Sequence, residues 1–411
     1  MRILHISWEY PPLLYGGLGR HVHALAEHEA KLGHGVTVLT QQPTGAPSSE
    51  VINGVNVVRI APPTPAVPRI PEDLLGWTRD LDTRLALALP ELVQATRPDV
   101  VHAHDWVVAR SAMTAASGPD DVPLVTTIHA TEAGRHQGWV NNPLSQQIHE
   151  IEFQLANRTD RVIACSRSMS AEIHRLFAIP EERIDVIPNG IDLASWEVEP
   201  ESADPTAPRP TIIFTGRLEW EKGVHVLLEA VRLLPPMSPH CHVVIAGTGT
   251  REEILAEEYR DLTDSGIVTF LGTVSESKLR KLVSAADVAV VPSIYEPFGL
   301  VALEAAAVRT PLIVADVGGL ADIVTNGVTG RVVSAQDAAA LSHAIADVFA
   351  NLPEARSRAD RLRDTLHTEY DWQRIAETTV TSYLTAIADH PSHSERPPPP
   401  IPPPSPENLF A

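Results

Sequence analysis

Short apolar runs alternate with longer amphipathic stretches along most of this chain. The longer stretches, such as His21–Leu32 and Leu81–Ala95, repeat their apolar positions with the spacing of a helix. The short runs are rich in β-branched residues and are apolar on consecutive positions, which is typical of strands buried on both faces of a parallel sheet. The first series of predicted strands comprises Ile3–Ser7, Gly35–Leu39, Val55–Ile60, Val100–Ala103, Leu124–His129, Arg161–Ala164 and Ile184–Ile187.

A second series of the same kind begins after residue 210. Its predicted strands are Thr211–Thr215, His242–Ala246, Val268–Leu271, Val288–Pro292, Leu312–Ala315 and Gly330–Val333. Regular alternation of strands and helices predicts doubly wound parallel sheets. Because there are two such series in 411 residues, the sequence predicts two Rossmann-like α/β domains.

The stretch between the two series, residues 197–210, is rich in proline and acidic residues and has no hydrophobic periodicity. It predicts a linker between an N-terminal domain, residues 1–196, and a C-terminal domain, residues 211–370. Residues 371–390 are predicted to contain a final helix. The proline-rich tail, residues 391–411, is expected to be disordered or polyproline II, and a docking site for a proline-binding partner is the alternative.

Composition narrows the class of protein. A hydrophobic content of 44% fits a globular enzyme, and no run of about 18 apolar residues predicts a transmembrane segment. The start of the chain, Met1–Ser7, predicts a first buried strand rather than a secretory signal. Only two cysteines occur, Cys165 and Cys241, and this usage favours a reducing cytoplasm over a disulfide.

The formal net charge of −20 argues against a nucleic-acid partner, because a phosphate backbone demands a basic surface. An anionic nucleotide would therefore be held by a few local Arg and Lys side chains and by helix N-termini. The sequence leaves open whether the chain forms a homo-oligomer.

The first candidate site is the loop between the first predicted strand and the first helix, which contains Gly16 and Gly17. Glycines at such a turn allow the backbone to approach a ligand, and the helix N-terminus offers free amides to an anion. The spacing is not that of a GxGxxG motif, so no NAD site is predicted. A tight turn that needs positive φ explains the two glycines equally well.

The second candidate site follows the fourth and fifth predicted strands, which end near Asp105 and at His129. Doubly wound folds bind ligands at the carboxyl ends of their strands, and there we expect these two side chains to contact a sugar. A structural hydrogen bond for Asp105 and a buried, satisfied imidazole for His129 are the alternatives. The sequence His102-Ala-His104-Asp105 also invites a metal interpretation, but no further ligand cluster accompanies it, so no metal is expected.

The C-terminal domain carries two cations on a predicted strand-to-helix turn, Arg217 and Lys222. A guanidinium forks onto phosphate oxygens and an ammonium adds a compact charge, so the pair suits a diphosphate. The alternative is a solvated helix start, in which Glu219 and Glu221 pair with the cations.

Two carboxylates follow some eighty residues later, Glu296 just before a predicted helix and Glu304 inside it. At eight residues apart, about two helical turns, they are expected to lie on one face. Glu304 lies among apolar residues and needs a polar partner, because an unpaired buried charge is costly. The helix N-terminus adds free amides, which belong to Phe298, Gly299 and Leu300. Carboxylates suit the hydroxyls of a sugar and a ribose, so cations and carboxylates together predict a site for a nucleotide sugar.

In the order and spacing of these segments the chain resembles the retaining GT-B glycosyltransferases of family four and the related bacterial glycogen synthases. The resemblance runs from residue 1 to about residue 385. The matching residues are Tyr10-Pro11-Pro12, Gly16-Gly17, His104-Asp105-Trp106, His129, Asn189-Gly190-Ile191-Asp192, Gly216-Arg217, Lys222-Gly223, Glu296-Pro297-Phe298-Gly299 and Glu304. It implies two facing Rossmann-like domains with an interdomain cleft, the nucleotide mostly in the C-terminal domain, an acceptor groove in the N-terminal domain, and a final helix that crosses back to the latter.

Carried over residue by residue, the resemblance implies a role for each candidate. Arg217 and Lys222 would hold the donor diphosphate, the Gly16-Gly17 loop would approach it, and Glu304 would bind the ribose. Glu296, with the amides of Phe298, Gly299 and Leu300, would bind the transferred sugar. Asp105 and His129 would contact that sugar and support its oxocarbenium-like transition state. The acceptor site or a hinge would include Tyr15, Trp106 and Asn189.

The activity implied is retaining transfer of glucose from UDP-glucose or ADP-glucose to an α-1,4-glucan or a related oligo- or polysaccharide. No cofactor is expected, because Arg217 and Lys222 supply the positive charge that a metal would otherwise provide. The stretch Ser7–Val22 is most similar to actinobacterial α-1,4-glucan-elongating enzymes, of the glycogen and methylglucose lipopolysaccharide type. Glycogen and starch synthases carry a lysine just before the paired glycines, where this chain has Leu14 and Tyr15, and this departure leaves the donor base open.

The alternative within enzymes is a family-four mannosyl- or glucosyltransferase that acts on a lipid or a small molecule. The mixed charge of Arg69–Arg97 favours a soluble acceptor over a lipid surface. A sugar-nucleotide epimerase or an inactive binding protein would be a different class. An epimerase does not need the Glu296-to-Glu304 segment beside Arg217 and Lys222. An inactive binding protein should have lost some of these side chains, and none is missing.

Overall fold

The structure is a computed structural model that describes residues 1–64, 73–117, 121–197, 210–234, 241–391 and 409–410. The chain divides into two compact units, a first unit of Met1–Gly190 with Trp372–Ala411 and a second unit of Ile191–Asp371. The predicted linker lies outside the described residues except for its two end residues. The same holds for the predicted proline-rich tail apart from residues 391, 409 and 410, and for the first residues of the mixed-charge region 69–97.

The described part of the first unit contains one sheet with the strand order β3-β4-β2-β1-β5-β6-β7-β8. Its strands are β1 (Arg2–Ile6), β2 (Gly35–Gln41), β3 (Ser49–Ile52), β4 (Val55–Ile60), β5 (Val100–His104), β6 (Leu124–Ile128), β7 (Arg161–Ala164) and β8 (Ile184–Val186). All neighbours are parallel except β3, which pairs antiparallel with β4 at the edge of the sheet. The parallel sheet was expected from the sequence, whereas β3 was missed.

Helices cover both faces of this sheet. They are α1 (Gly17–Lys31), α2 (Leu74–Thr96), α3 (Ala109–Ala116), α4 (Glu132–Arg135), α5 (Pro143–Arg158) and α6 (Arg167–Phe177). Val22 and Leu25 of α1 pack with one set of strand residues, and Leu81 and Leu85 of α2 pack with the other set. Because side chains alternate along a strand, each strand contributes to both layers, which is why the runs are apolar at consecutive positions.

The second unit has a parallel sheet with the order β11-β10-β9-β12-β13-β14 among its described residues. The strands are β9 (Thr211–Thr215), β10 (His242–Ala246), β11 (Val268–Gly272), β12 (Val288–Val291), β13 (Leu312–Ala315) and β14 (Arg331–Val333). Its helices are α7 (Val224–Arg232), α8 (Glu252–Glu258), α9 (Arg260–Asp264), α10 (Glu276–Ala285), α11 (Leu300–Ala307), α12 (Leu320–Ile323), α13 (Ala338–Ala350) and α14 (Leu352–Glu369). The sequence therefore predicted both Rossmann-like domains correctly.

The last helix, α15 (Trp372–Asp389), packs within the first unit although it follows the second in the chain. Trp372, Ile375 and Tyr383 are buried in the same core layer as α1. The Trp372 ring lies 2.6 Å from the position that a Cβ atom on Gly190 would occupy. Gly190 is not at positive φ, so it is needed for this close approach, and the turn signal of Asn189-Gly190 is not its main reason.

Within the described ranges, no helix is both long enough and apolar enough to cross a membrane. Cys165 and Cys241 are buried thiols and form no disulfide with each other, as expected.

Candidate active site

The turn after β9 and the loop after β12 lie together in the second unit because these two strands are neighbours in the sheet. The turn contains one 3-10 helical turn, Trp220–Lys222, which precedes α7. The carbonyl oxygen of Glu221 accepts hydrogen bonds from the amides of Ile294 at 2.7 Å and Tyr295 at 3.2 Å. The backbone therefore joins two segments that are more than seventy residues apart in the chain.

Gly223 makes this contact sterically possible. Its φ is +68°, a left-handed conformation that side chains disfavour, and a Cβ atom there would lie 1.9 Å from the carbonyl oxygen of Pro292. Gly318 has the same function on the other side of the loop, where its Cβ would lie 1.9 Å from the carbonyl oxygen of Glu296. Two glycines thus let three backbone segments meet at the carboxyl ends of the strands.

Lys222 and Glu296 form an ion pair at this meeting point, with 2.9 Å between Nζ and Oε2. The hydroxyl of Ser293 donates a second hydrogen bond to the same carboxylate oxygen at 3.1 Å. Both charged side chains are largely but not fully buried. A cation and a carboxylate are therefore adjacent at the carboxyl ends of β9 and β12.

Arg217 pairs with Glu221 at 2.9 Å, and its side chain is 48% exposed. Glu219 does not pair with either cation in this turn, because it accepts from the amide and hydroxyl of Thr250. A solvated helix start, the alternative interpretation, predicts that Glu219 and Glu221 pair with the two cations. Such a pair is found for Arg217, with Glu221, and not for Lys222.

The segment Glu296–Gly299 is not helical, because α11 begins at Leu300. Glu296 precedes the helix by four residues. The prediction that two helical turns place Glu296 and Glu304 on one helix face was therefore wrong. Glu304 itself is buried inside α11. Gly299 has φ +109°, and among the residues described, no protein acceptor bonds the amides of Phe298, Gly299 or Leu300. These amides remain available to a ligand.

In the first unit, the loop before α1 is organised by the buried carboxylate of Glu9. Its Oε2 atom accepts from the amides of Tyr15 at 2.7 Å and Gly16 at 3.1 Å. Burial raises the pKa of Glu9, opposed by these backbone hydrogen bonds. The expectation of free amides in this loop was therefore wrong for Gly16, whereas the amide of Gly17 donates to none of the described residues.

Asp105 lies between β5 and the 3-10 turn Trp106–Val108 in a backbone conformation that is rare outside glycine, φ +61° and ψ 175°. Such a conformation costs on the order of 1–3 kcal/mol and is typical of functional sites. The carboxylate accepts from the amide of His129 at 2.6 Å, so it fixes the loop that follows β6. Burial raises the pKa of Asp105 to about 6. One oxygen of Asp105 therefore makes a structural hydrogen bond, which was the alternative interpretation of this residue from the sequence.

His129 belongs to a cluster of histidines on neighbouring strands. His5 of β1 and His102 and His104 of β5 are fully buried. The Nδ1 atom of His104 lies 3.3 Å from Nε2 of His129. Burial lowers the pKa of His129 to about 3 and that of His104 well below its usual range, so these two rings are neutral near pH 7.

His21 of α1 lies edge-on to His129, with 4.8 Å between the ring centroids. Its Nδ1 atom lies 2.7 Å from the amide oxygen of Asn189, which binds this ring rather than solvent. Its Nε2 atom is buried and has no partner among the described residues. His21 was not predicted as a site residue, although a histidine one turn after paired glycines is a usable signal.

Two groups of three histidines bring ring nitrogens within 4.8 Å of one another, His5 with His102 and His104, and His21 with His104 and His129. In the first group every ring nitrogen already takes part in a hydrogen bond to the protein. The absence of a metal at this site stays a prediction.

Two predicted aromatic residues have different surroundings. Tyr15 is 49% exposed, and its ring stacks on Trp8 with 5.4 Å between centroids. Trp106 starts the 3-10 turn after Asp105 and is half-buried. The structure thus groups the predicted residues by unit, with Asp105, His129 and Asn189 in the first and Arg217, Lys222, Glu296, Phe298, Gly299, Leu300 and Glu304 in the second.

Comparison with known proteins identifies the family. The family description "Glycosyltransferase Family 4" matches residues 15–195, and "Glycosyl transferases group 1" matches residues 197–363. The chain is 43% identical to a glycogen synthase of Mycobacterium tuberculosis, over 94% of this chain and 95% of the relative. It is 31% identical to an alpha-maltose-1-phosphate synthase of Mycolicibacterium smegmatis, over 94% of this chain and 100% of the relative.

Among solved structures, sucrose-phosphate synthase from Thermosynechococcus elongatus has a TM-score of 0.81 at 26% identity, over 94% of this chain and 99% of that one. The catalytic domain of starch synthase IV from Arabidopsis thaliana has a TM-score of 0.73 at 19% identity, over 94% and 99%, and supports the fold. The two Rossmann-like units, their glycine-shaped turns and these full-length matches agree. The chain therefore belongs to the group 1, family-four glycosyltransferases of GT-B fold and is a hexosyltransferase.

Proposed function

We propose that this protein transfers glucose from UDP-glucose or ADP-glucose to an α-1,4-glucan, with retention of the anomeric configuration. The observation that carries the proposal is the 43% identity to a glycogen synthase over nearly the full length of both chains. The cytoplasm, where nucleotide sugars are made, is the location we propose with it.

The second unit holds the donor in this proposal. Lys222 and Arg217 neutralise the diphosphate as it leaves, and Glu296 accepts hydroxyls of the transferred glucose beside it. The 2.9 Å ion pair between Lys222 and Glu296 supports this, because the phosphates and the sugar of the donor are also adjacent. The unbonded amides at the start of α11 add donors, and Glu304 binds the ribose hydroxyls.

The first unit contributes neutral groups to the transferred glucose, namely His129 and the backbone that Asp105 orders. A neutral imidazole bonds a sugar hydroxyl without adding positive charge near an oxocarbenium-like transition state. The lowered pKa of His129 supports this assignment. The acceptor hydroxyl attacks from the face that the diphosphate leaves, and a leaving phosphate oxygen takes its proton.

Tyr15 is the residue we propose for acceptor binding. An exposed tyrosine ring stacked on Trp8 presents an apolar face with a polar edge, which suits a pyranose ring. Tyr15→Ala is expected to raise the KM for long glucans more than the KM for the donor.

No metal takes part in the proposed reaction, since Arg217 and Lys222 supply the positive charge. Treatment with a chelator is expected to leave turnover unchanged. Loss of turnover that Mg²⁺ or Mn²⁺ restores would contradict this part of the proposal.

A second candidate is transfer to a small phosphorylated acceptor. The 31% identity to an alpha-maltose-1-phosphate synthase over its full length favours it, because that relative's name describes a small phosphorylated product. Leu14 and Tyr15, which replace the lysine of glycogen and starch synthases, also separate this chain from a strict glycogen-synthase pattern.

Donor and acceptor profiling tests both candidates. Purified protein is incubated with UDP-, ADP- and GDP-linked glucose or mannose, and with maltooligosaccharides, glucose 1-phosphate or no acceptor, while nucleotide release is measured. Release with a glucose donor and maltooligosaccharides is the expected result. Release with glucose 1-phosphate alone would favour the second candidate, and no release with any glucose donor would reject both.

A further inference from the structure

A continuous chain of hydrogen bonds connects a buried carboxylate on α1 to His129. Glu29 Oε2 lies 2.6 Å from Nε2 of His5, and Nδ1 of His5 lies 3.1 Å from Nε2 of His104. Nδ1 of His104 then lies 3.3 Å from Nε2 of His129. Glu29, His5 and His104 are fully buried, whereas His129 keeps part of its surface exposed.

The acceptor at one end of this chain, with one proton on each imidazole, sets the direction of every bond in it. An ionised carboxylate only accepts, so the single proton of His5 lies on Nε2 and its Nδ1 is an acceptor. His104 must then donate from Nε2, which leaves its Nδ1 as the acceptor for His129. His129 consequently donates from Nε2, and its Nδ1 carries a lone pair.

A second branch of hydrogen bonds starts from the other oxygen of Glu29. The hydroxyl of Tyr383 donates to Glu29 Oε1 at 2.8 Å, so its oxygen accepts from Nδ1 of His102 at 2.7 Å. His102 therefore carries its proton on Nδ1, and its Nε2 accepts from the hydroxyl of Thr127 at 2.7 Å. The same carboxylate thus imposes opposite tautomers on two histidines of one strand, His102 and His104.

We propose that Glu29 is a positioning residue that holds His129 in its Nε2–H tautomer and leaves Nδ1 as the acceptor for a hydroxyl of the bound sugar. Nδ1 of His129 bonds no described residue and is not among the buried unpartnered atoms, so it is open to a ligand. The choice of a sugar hydroxyl as that ligand rests on the proposed function. The tautomer does not, because it follows from contacts within the first unit alone.

The surroundings keep the rings of His102, His104 and His129 neutral near pH 7. Burial lowers the pKa values of His102 and His104 well below the usual range, and neighbouring histidines lower them further. The carboxylate that bonds the chain directly is Glu29, and Asp105 bonds the amide of His129 rather than its ring.

A bound metal ion would give a different pattern. An ion shared by His21, His104 and His129 would need lone pairs on both Nδ1 of His104 and Nε2 of His129, and His129 would then carry its proton on Nδ1. Nδ1 of His104 and Nε2 of His129 lie 3.3 Å apart with the geometry of a hydrogen bond. The hydrogen-bonded cluster and a metal-bound cluster therefore differ in which nitrogen of His129 carries the proton, and this can be observed.

The experiment is NMR on full-length protein labelled with 15N and 13C at histidine, in which nitrogen and 13Cδ2 shifts distinguish the two neutral tautomers. Assignment uses single substitutions of each histidine. We expect protons on Nε2 of His5, His104 and His129 and on Nδ1 of His102. A proton on Nδ1 of His129, or a charged ring there at pH 7, would overturn the inference.

Glu29→Gln tests the cause. An amide offers an oxygen to only one of the two donors, His5 and Tyr383, so at least one of the two branches must reverse its tautomers. If the His129 branch reverses, Nδ1 of His129 carries a proton, and the O–H group of the sugar then faces an N–H group instead of a lone pair. We expect kcat/KM to fall about tenfold as a result. Glu152→Gln is the matched control, because Glu152 is an equally buried carboxylate of this unit that accepts from the amide of Glu132 and bonds none of the four histidines.

The outcomes separate this inference from the proposed function. Unchanged tautomers of all four histidines in a folded Glu29→Gln variant would reject the inference, whatever the activity. The expected tautomers together with no turnover on any donor would retain it and reject the proposed function. If Glu29→Gln does not fold, the spectrum of the unsubstituted protein still decides.

Discussion

The two units present opposite kinds of polar chemistry at the same place in the same fold, the carboxyl ends of parallel strands. In the first unit the side chains are imidazoles ordered by hydrogen bonds, and burial lowers the pKa values of His102, His104 and His129. In the second unit they are charged groups in partly exposed ion pairs, Lys222 with Glu296 and Arg217 with Glu221. The first unit thus offers buried imidazoles that bond one another, whereas the second unit offers cations and carboxylates that pair with one another.

The two regions also differ in how the chain brings the groups together. The first unit uses side chains that bond one another across strands, with Glu29 and Tyr383 as anchors from α1 and α15. The second unit uses backbone contacts that only glycine allows, at Gly223 and Gly318. The following substitutions test this contrast, from the largest expected effect to the smallest.

Lys222→Ala removes a positive charge that the account assigns to the departing diphosphate. We expect kcat to fall by roughly 10²-fold or more, as when one preorganised donor is removed from an active site. Steady-state nucleotide release measures the effect. Lys278→Ala, on the exposed side of α10, is the control and should leave kcat unchanged. Full turnover in Lys222→Ala would show that the second unit does not act through its charge.

Gly223→Ala tests the backbone contact. Gly223 and Gly266 have nearly the same φ, +68° and +69°, but only Gly223 lacks room, since nothing lies within 4 Å of a Cβ atom on Gly266. We expect Gly223→Ala to lower the free energy of unfolding by about 3 kcal/mol and Gly266→Ala by about 1 kcal/mol. Urea denaturation measures both. Equal losses would mean that only φ matters and that the contact with Pro292 relaxes.

Tyr383→Phe removes the hydroxyl that joins Glu29 to His102 in the first unit. Two buried polar groups then lose a partner, and the free energy of unfolding is expected to fall by about 2 kcal/mol. Tyr259→Phe is the control, because its hydroxyl makes a single bond of 3.2 Å to the carbonyl oxygen of His225, and it should cost less. If Tyr383→Phe is as stable as the unsubstituted protein, the hydroxyl of Tyr383 does not stabilise the first unit through Glu29 and His102.

Asp105→Asn tests the electrostatics of the first unit. The pKa of Asp105 is about 6 in the folded protein, above the usual value of 3.8, so between these values the folded state binds more protons than the unfolded state. The contribution of Asp105 to stability is therefore greatest below pH 3.8 and is lost as the pH rises through 6. Asparagine keeps an oxygen for the amide of His129 and has no such dependence.

Denaturation of both proteins from pH 4 to pH 7 measures this effect. The stability of Asp105→Asn relative to the unsubstituted protein should increase as the pH rises from 4 to 6 and then level off. A constant difference would show that the carboxyl is not perturbed by burial.

Hydrophobic pattern alone predicted the strands of both sheets, because strands buried on two faces are apolar at consecutive positions. It missed β3, since Ser49-Glu50-Val51-Ile52 is a half-exposed edge strand without such a run. The helix start at Leu300 was predicted correctly, but counting two helical turns from Glu296 to Glu304 was wrong, because the four residues before Leu300 are not helical.

The sequence predicted much of the charged site and little of the neutral one. Arg217, Lys222 and Glu296 are chemically distinctive and lie beside glycines that mark tight turns. His5 and Glu29 lie inside a strand and a helix, and their hydrogen bonds span 24 to 99 residues, which no local pattern shows. A histidine in an otherwise apolar strand was the available signal.

The central claim is that the chain adds glucose to an α-1,4-glucan with retention, and the linkage of the first product tests it most directly. Purified protein is incubated with the active nucleotide-glucose and a maltooligosaccharide, and 1H NMR identifies the anomeric proton of the new residue at the non-reducing end. The account expects an α-1,4 linkage at the non-reducing end. A β-anomeric signal, or glucose attached at any other position, would contradict it.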